Sequence, residues 1–386
     1  MKILYDHQAF QMQYFGGVSK CFCELISHLP DGVQAQISIA QSNNVHLRES
    51  GLVEGLDNVT MDHRMWNEKH PGRLMDILYL AASKYLDLPT ADSQNRRMTN
   101  RMLKQGDYDV FHPTYFKPEF LKYLGKKPFV LTIHDMMPEL YPQYYGSDYP
   151  DIAWKKQLVK RADAIVAVSE CTKNDVINIL GVPEEKITVI HHGGPASESH
   201  AMVPRIVNER YLLYVGQRMF YKNFTRLLES FSAVASREDM SDVLLVCTGA
   251  PFSDGEKALI ARHGISDRIV FMHPTDAEMQ ILYRDALAFV YPSGYEGFGM
   301  PILEAFANGC PVLLNDASSF PEVGGDAARY FRFDNGVGEL SQLLVEVATE
   351  GEESRKEWVK RGLQRLGMFS WEKSAQRLVN VYKSVL

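Results

Sequence analysis

Two acidic residues, Glu296 and Glu304, bracket the stretch Glu-Gly-Phe-Gly-Met-Pro-Ile-Leu-Glu-Ala. Gly297 and Gly299 allow a ligand to approach the backbone closely. Pro301 suits the first helical position, where its missing N–H costs nothing, and Gly309 suits the helix end. The N–H groups of such a helix start lack intrahelical partners and bind phosphate or sugar oxygens. On the plain reading Glu304 favours the helix dipole, worth roughly 0.3–1 kcal/mol, and Glu296 is a solvated charge. Acids on both sides of an anion site are costly next to a phosphate, however. They serve better as acceptors for ligand hydroxyl groups.

A second cluster lies upstream, where the apolar run Tyr-Leu-Leu-Tyr-Val-Gly is followed by Arg218, Lys222 and Asn223. Arginine can grip oxygens bidentately and lysine adds a point charge, so cations at the mouth of a sheet suit a diphosphate. A solvated basic turn explains the same residues equally well when they are taken alone. With the two glutamates, the implied ligand is a diphosphate flanked by two hydroxyl-rich groups, which is a nucleotide sugar.

The elements that must position these residues are legible as short apolar runs alternating with helix-length segments. Residues 1–192 contain Lys-Ile-Leu-Tyr, Val-Gln-Ala-Gln-Ile-Ser-Ile-Ala, Asn-Val-Thr-Met-Asp, Asp-Val-Phe-His, Phe-Val-Leu-Thr-Ile-His, Ala-Ile-Val-Ala-Val and Ile-Thr-Val-Ile. They read as buried parallel strands. Residues 193–208 are rich in Gly, Pro, Ser and Ala and read as a linker. The alternation restarts over 209–368, and 369–386 read as an amphipathic helix carrying Ala375, Leu378, Tyr382 and Val385 at helical spacing, in need of an apolar surface that the pattern assigns to neither domain. The fold class is α/β, with two doubly wound sheets facing across a cleft. Ligands then sit beyond the carboxyl ends of the strands.

Other strand ends carry weaker signals. Gly16 and Gly17 precede a helix, and a glycine pair alone is a plain turn. His134 and Asp135 end a strong strand; for Asp135 an active-site role and local capping stand level. Asp107 and Asp109 form a D-x-D, but ahead of their strand, at the wrong end for a ligand. His112 is a weak candidate, and the adjacent His191 and His192 make a poor metal pair, so no metal is assigned.

The net charge of −7 argues against a nucleic-acid binder. The five cysteines show no C-x-x-C spacing and read as free thiols in a reducing compartment. The N-terminus lacks the apolar region of a signal peptide, and no run of about 18 apolar residues occurs. The expectation is a cytoplasmic protein. Between Arg64 and Lys127, twelve Lys and Arg face seven Asp and Glu. That excess is a solvated face or, with Trp66 nearby, a peripheral contact with anionic lipid on the inner face of the membrane.

The Glu-Gly-Phe-Gly-x-Pro-x-x-Glu-Ala stretch resembles the signature of the retaining glycosyltransferases of family 4, which have the GT-B fold of two Rossmann-like domains. The preceding Tyr-Pro-Ser, the following Gly-Cys-Pro-Val, the later Phe-Pro-Glu-Val-Gly-Gly-Asp-Ala-Ala-Arg-Tyr-Phe and the Arg–Lys–Asn element match as well. The resemblance implies that Glu304 binds the ribose hydroxyls and Glu296 touches the donor sugar. Gly297, Phe298, Gly299 and Met300 would offer backbone amides, and Arg218 and Lys222 would stabilise the leaving diphosphate. His273 and Thr275 would lie near the base, in a loop lacking the usual glycine. Gly16 and Gly17 would face the donor phosphate, and His134 would contact the donor sugar. The opening Asp-His-Gln-Ala-Phe stretch, running to Gly-Gly-Val-Ser-Lys, is similar to that of O-antigen and capsule mannosyltransferases. It implies GDP-mannose and a lipid-linked saccharide acceptor in surface polysaccharide assembly, without a metal. Donors such as UDP-glucose or UDP-galactose, a sugar-nucleotide 2-epimerase and a catalytically silent nucleotide-sugar-binding subunit remain as alternatives.

Overall fold

The structure is a computed structural model that describes residues 1–59, 90–196 and 203–386. The strand expected over Asn-Val-Thr-Met-Asp therefore falls mostly outside the described residues, as do Trp66 and the basic residues from Arg64 to Lys84. The chain divides into two compact units. Met1–Val168, Thr172–His191 and Trp371–Leu386 form the first; Ser169–Cys171 and His192–Ser370 form the second.

In the first unit, β1 (Lys2–Tyr5), β2 (Gln34–Ile37) and β3 (Val110–His112) pair in the order β2-β1-β3. A second trio, β4 (Val130–Ile133), β5 (Ala164–Ala167) and β6 (Ile187–Val189), pairs in chain order, and a parallel bridge between Phe111 and Phe129 joins the two trios. The second unit holds β7 (Arg210–Tyr214), β8 (Val243–Cys247), β9 (Ile269–Phe271), β10 (Ala288–Tyr291), β11 (Val312–Asn315) and β12 (Ala328–Phe331), in the order β12-β11-β10-β7-β8-β9. Every pairing is parallel. Both units are Rossmann-like.

The residue types explain which strands lie inside. Val-Leu-Thr-Ile of β4, Ala-Phe-Val-Tyr of β10 and Val-Leu-Leu-Asn of β11 are buried at every position, as expected for parallel strands covered on both faces. Gln-Ala-Gln-Ile of β2 is polar and half exposed, and it stands at a sheet edge. The edge strand β12 escaped the sequence reading because Ala-Arg-Tyr-Phe is no continuous apolar run; Arg329 and Tyr330 are only half buried.

The terminal helix Trp371–Ser384 buries Ala375, Leu378 and Tyr382 and groups with the first unit. Its Tyr382 hydroxyl lies 2.8 Å from that of Tyr5 and 2.6 Å from His112 Nδ1, while His112 Nε2 lies 2.9 Å from the Thr132 hydroxyl. His112, a weak site candidate by sequence, is thus a fully buried histidine with both ring nitrogens engaged in the core. Asp107 and Asp109 are also committed locally: Asp107 pairs with the Lys2 ammonium and Asp109 accepts the Lys2 N–H.

Burial, with a smaller push from His134, lowers the His112 pKa from 6.5 to about 3. The unfolded chain therefore binds protons that the folded chain rejects. The stabilisation is fully present above the unfolded value of 6.5 and is lost as pH falls toward the folded one. The midpoint of thermal unfolding should drop as pH is lowered from 7 toward 4.5, with a shallower drop in His112→Gln. Equal slopes for the two proteins would contradict a neutral buried ring.

Candidate active site

The site in the second unit is built by the sheet's own topology. The chain runs from β7 outward to β8 and β9, then returns to β10 on the other side of β7. Such a reversal of strand order opens a crevice at the carboxyl ends of the two central strands. The residues after β7 and after β10 meet there. The Lys222 ammonium forms an ion pair with the Glu296 carboxylate, and the two side chains are only 13% and 16% exposed. The Lys222 ammonium also lies 5.1 Å and 5.3 Å from the ring centres of Tyr221 and Tyr291. Burial, reinforced by the Glu296 charge, pushes the Tyr291 hydroxyl well above its ordinary pKa, so it stays protonated.

Two bonds stitch the loops together. Asn223 donates its side-chain amide to the Pro292 carbonyl at 2.9 Å, and the Gly294 N–H donates to the Tyr221 carbonyl at 2.7 Å. Asn223 adopts a left-handed φ of 51°, which asparagine tolerates better than most residues.

The turn after β10 is anchored by Tyr295 and Phe298, both buried. Phe298 sits edge-on to His192 and Phe369 at 4.8 Å and 5.8 Å, so this side chain belongs to the core. Gly299 caps the helix Met300–Ala307 with φ 105°, and a Cβ there would come within 3.0 Å of Ile302 and 3.2 Å of Phe320. The positive φ favours glycine, and the tight approach adds to the case. Three serines hold the turn's carbonyls. Ser318 and Ser319 donate to that of Glu296, Ser169 to that of Gly297, and Ser319 also to that of Phe298. A trans peptide opposes its N–H to its C=O. The N–H groups of Gly297, Phe298 and Gly299 are therefore directed away from the serines, ahead of the N–H groups at the helix start.

Glu304 lies in the second turn of that helix, too far along for the helix-dipole account to carry its presence. It accepts a long 3.5 Å contact from the Tyr283 hydroxyl, which burial and the Glu304 charge keep protonated.

Arg218 and Lys222, equivalent in sequence, differ in place. The Arg218 side chain is 3% exposed and ion-pairs with Glu256 at 2.6 Å. It also donates to the carbonyls of Thr248, Ala250 and Pro251 and stacks on Phe224 and Phe252. Its guanidinium thus organises the loop after β8. His273 and Thr275 follow β9, at the outer edge of the sheet. His273 is exposed, whereas the Thr275 hydroxyl serves in a capping box with Glu278.

In the first unit, Gly16 and Gly17 open the helix Gly17–Ser27, with the short helix Gln8–Met12 between them and β1. Phe22 of the longer helix packs edge-on against His134 at 5.8 Å, which brings these candidates to the same part of the unit. Burial, with Lys155 adding to it against an opposing pull from Asp135, lowers the His134 pKa to about 4. Asp135 accepts the Met137 N–H at 3.0 Å, a capping role. The sequence reading missed Lys155, which is 1% exposed and bonds the Asp135 carbonyl at 3.1 Å and Glu139 at 2.8 Å. It also missed Glu256, Tyr291, Ser318 and Ser319. The pair of serines after an apolar run and before Phe-Pro-Glu was the available signal for the last two.

Removing one partner of a buried, hydrogen-bonded ion pair costs about 3–5 kcal/mol. In urea unfolding, Arg218→Met, which orphans Glu256 and also takes the donor from the Thr248, Ala250 and Pro251 carbonyls, should lose about 3 kcal/mol on that basis, and Lys222→Met, which removes a single ion pair, should lose less. An Arg218 variant as stable as the parent would contradict its structural role.

Comparison with known proteins identifies the family and the fold. The sequence profile described as "Glycosyl transferases group 1" matches residues 197–365, and that described as "Glycosyltransferase Family 4" matches residues 15–197. The chain is 26% identical over 305 residues to O-antigen chain mannosyltransferase B of Escherichia coli, covering 75% of this chain and 77% of that protein. It is 29% identical over 206 residues to O-antigen chain mannosyltransferase RfbU of Salmonella typhimurium, covering 53% and 57%. Among solved structures, Anabaena Alr3699/HepE in complex with UDP and glucose superposes with a TM-score of 0.73 at 15% identity over the full length of both chains.

Proposed function

The chain belongs to the family 4 glycosyltransferases of GT-B fold, and we propose that it moves a hexose from a nucleotide sugar to a saccharide or lipid-linked saccharide with retention at the anomeric carbon. The observation that carries this reading is the Lys222–Glu296 ion pair at the strand-order reversal, beside the Gly-Phe-Gly turn. In this reading Lys222 turns toward the departing diphosphate and Glu296 is released to the sugar hydroxyls. The helix start at Met300 and the amides of the turn take the developing negative charge. Glu304 holds the ribose. With these groups supplying the positive charge, the proposed transfer needs no divalent ion. Arg218 supports the phosphate side by fixing the Thr248–Pro251 loop. The mannosyltransferase relatives favour GDP-mannose as the donor and surface polysaccharide as the setting.

A thermal-shift panel with GDP, UDP, ADP and CMP tests the donor class. A ligand at 100 times its Kd adds about 2.7 kcal/mol of stability. GDP should raise the unfolding midpoint of the parent and not of Glu304→Ala. Stabilisation by UDP alone would move the donor to the UDP sugars. No shift with any nucleotide would overturn the assignment of this site to a nucleotide sugar.

A basic groove supports a peripheral membrane contact in the same reading. Arg97, Asn100, Arg101, Lys104, Gln105 and Tyr123 line a cavity of about 450 Å³ on the first unit, with Lys104 over the Tyr123 ring at 4.9 Å. The three cations lie on the helix Ala91–Gln105 at i, i+4 and i+7, on one face. Among the described residues, Arg101 and Lys104 make no ion pair. No helix among them is long and apolar enough to cross a membrane. The protein should float with vesicles rich in phosphatidylglycerol and not with phosphatidylcholine vesicles, and Arg101→Glu with Lys104→Glu should abolish flotation. Flotation indifferent to this charge reversal would remove the groove from the reading.

A further inference from the structure

We propose that Ser318 is a positioning residue, adopting an unfavourable backbone conformation so that its hydroxyl can clamp the backbone of Glu296. The proposal rests on the reading of Glu296 given above.

Among the described residues, only Asn223 and Ser318 are non-glycine residues with positive φ, at 51° and 57°. Both flank the Lys222–Glu296 pair. Asn223 adjoins Lys222 in sequence, and Ser318 reaches Glu296 from the loop after β11. Asparagine is one of the few residues that visit the left-handed region with little penalty; serine is not. Glycine would remove the strain at position 318, yet the chain carries a side chain there. That side chain has a use. The Ser318 hydroxyl accepts the Glu296 N–H at 3.1 Å and donates to the Glu296 carbonyl at 2.5 Å. One hydroxyl thus fixes both backbone polar groups of the residue whose carboxylate meets Lys222.

The clamp matters because of what surrounds Glu296. Gly294 and Gly297 lie close on either side in sequence and impose little of their own conformation. Tyr295, which is buried, anchors one flank. Ser319 shares the Glu296 carbonyl at 3.0 Å but leaves the Glu296 N–H to Ser318. Strain kept where the surrounding structure over-determines it points to a functional constraint, and here the hydrogen bonds name the group constrained.

Two variants separate positioning from stability because they move in opposite directions. Ser318→Gly relieves the backbone strain and removes the hydroxyl. Ser318→Thr keeps a hydroxyl but places a β-branched residue in the left-handed region. The expected result is an unchanged or higher unfolding midpoint with about a tenfold lower kcat for Ser318→Gly. For Ser318→Thr it is a lower midpoint with kcat near the parent's. The Kd for the nucleoside diphosphate should stay within about twofold in both, since Glu304 and the helix start are untouched. In a Glu296→Gln background, adding Ser318→Gly should slow transfer no further, the signature of two residues acting through one group. Rates that simply follow thermal stability in the two variants would overturn the proposal. So would a parental kcat for Ser318→Gly when Glu296→Gln is slow. A parental rate for Glu296→Gln itself would instead overturn the underlying reading of Glu296.

Discussion

A parallel sheet can hold a ligand only where its connections diverge, and in the second unit that place is the seam between β7 and β10. The strand order runs outward from β7 through β8 to β9 and then outward again from β10 through β11 to β12. Loops within each run follow one another around one face, but the loops after β7 and β10 belong to different runs. The β7–β10 ladder ends at the Leu213–Phe289 register, short of both loops. They are joined instead by the Asn223–Pro292 and Gly294–Tyr221 hydrogen bonds and by the Lys222–Glu296 pair. The turn, the glycine at the helix start and the serines behind it depend on that seam holding its width.

The pair also makes the free site tolerable. A lysine and a glutamate each mostly withdrawn from water would be costly alone, whereas paired they neutralise each other at short range. An arriving phosphate offers Lys222 a second anion of higher charge. In the proposed reading the exchange frees Glu296 at the moment a sugar hydroxyl needs an acceptor. Binding and the preparation of the acceptor group are then one event. The protonated hydroxyl of Tyr291, adjacent to the pair, adds a neutral donor without adding charge.

What the sequence disclosed follows from periodicity and residue type. Continuous apolar runs marked β4, β10 and β11 because strands buried on both faces have no polar alternation to hide them. β12 lacked that signal, being an edge strand with Arg329 in it. Glu296, Glu304 and the intervening glycines were legible because helix starts and ligand turns have strict local chemistry. The partners of Arg218 were not, because Glu256 and the carbonyls of Thr248, Ala250 and Pro251 approach through the fold and not along the chain. His112 misled for the same reason. A histidine at the end of a strand looks like a ligand contact until the Tyr382 hydroxyl, 270 residues away in sequence, is found on its ring.

The contrast between the two cations bears on how such a site manages charge. Sequence places Arg218 and Lys222 in one loop and offers no reason to separate them. The fold gives the rigid, multidentate group to the protein and the flexible point charge to the seam. A guanidinium held by three carbonyls and Glu256 cannot follow a ligand without dismantling the loop after β8, but its charge persists as a fixed background field on that side of the crevice. An ammonium on a flexible stem, held by a single carboxylate, can change partners at little conformational cost. Preorganised charge and movable charge are both useful when negative charge shifts from a bond to a leaving group. The loop after β7 supplies one of each.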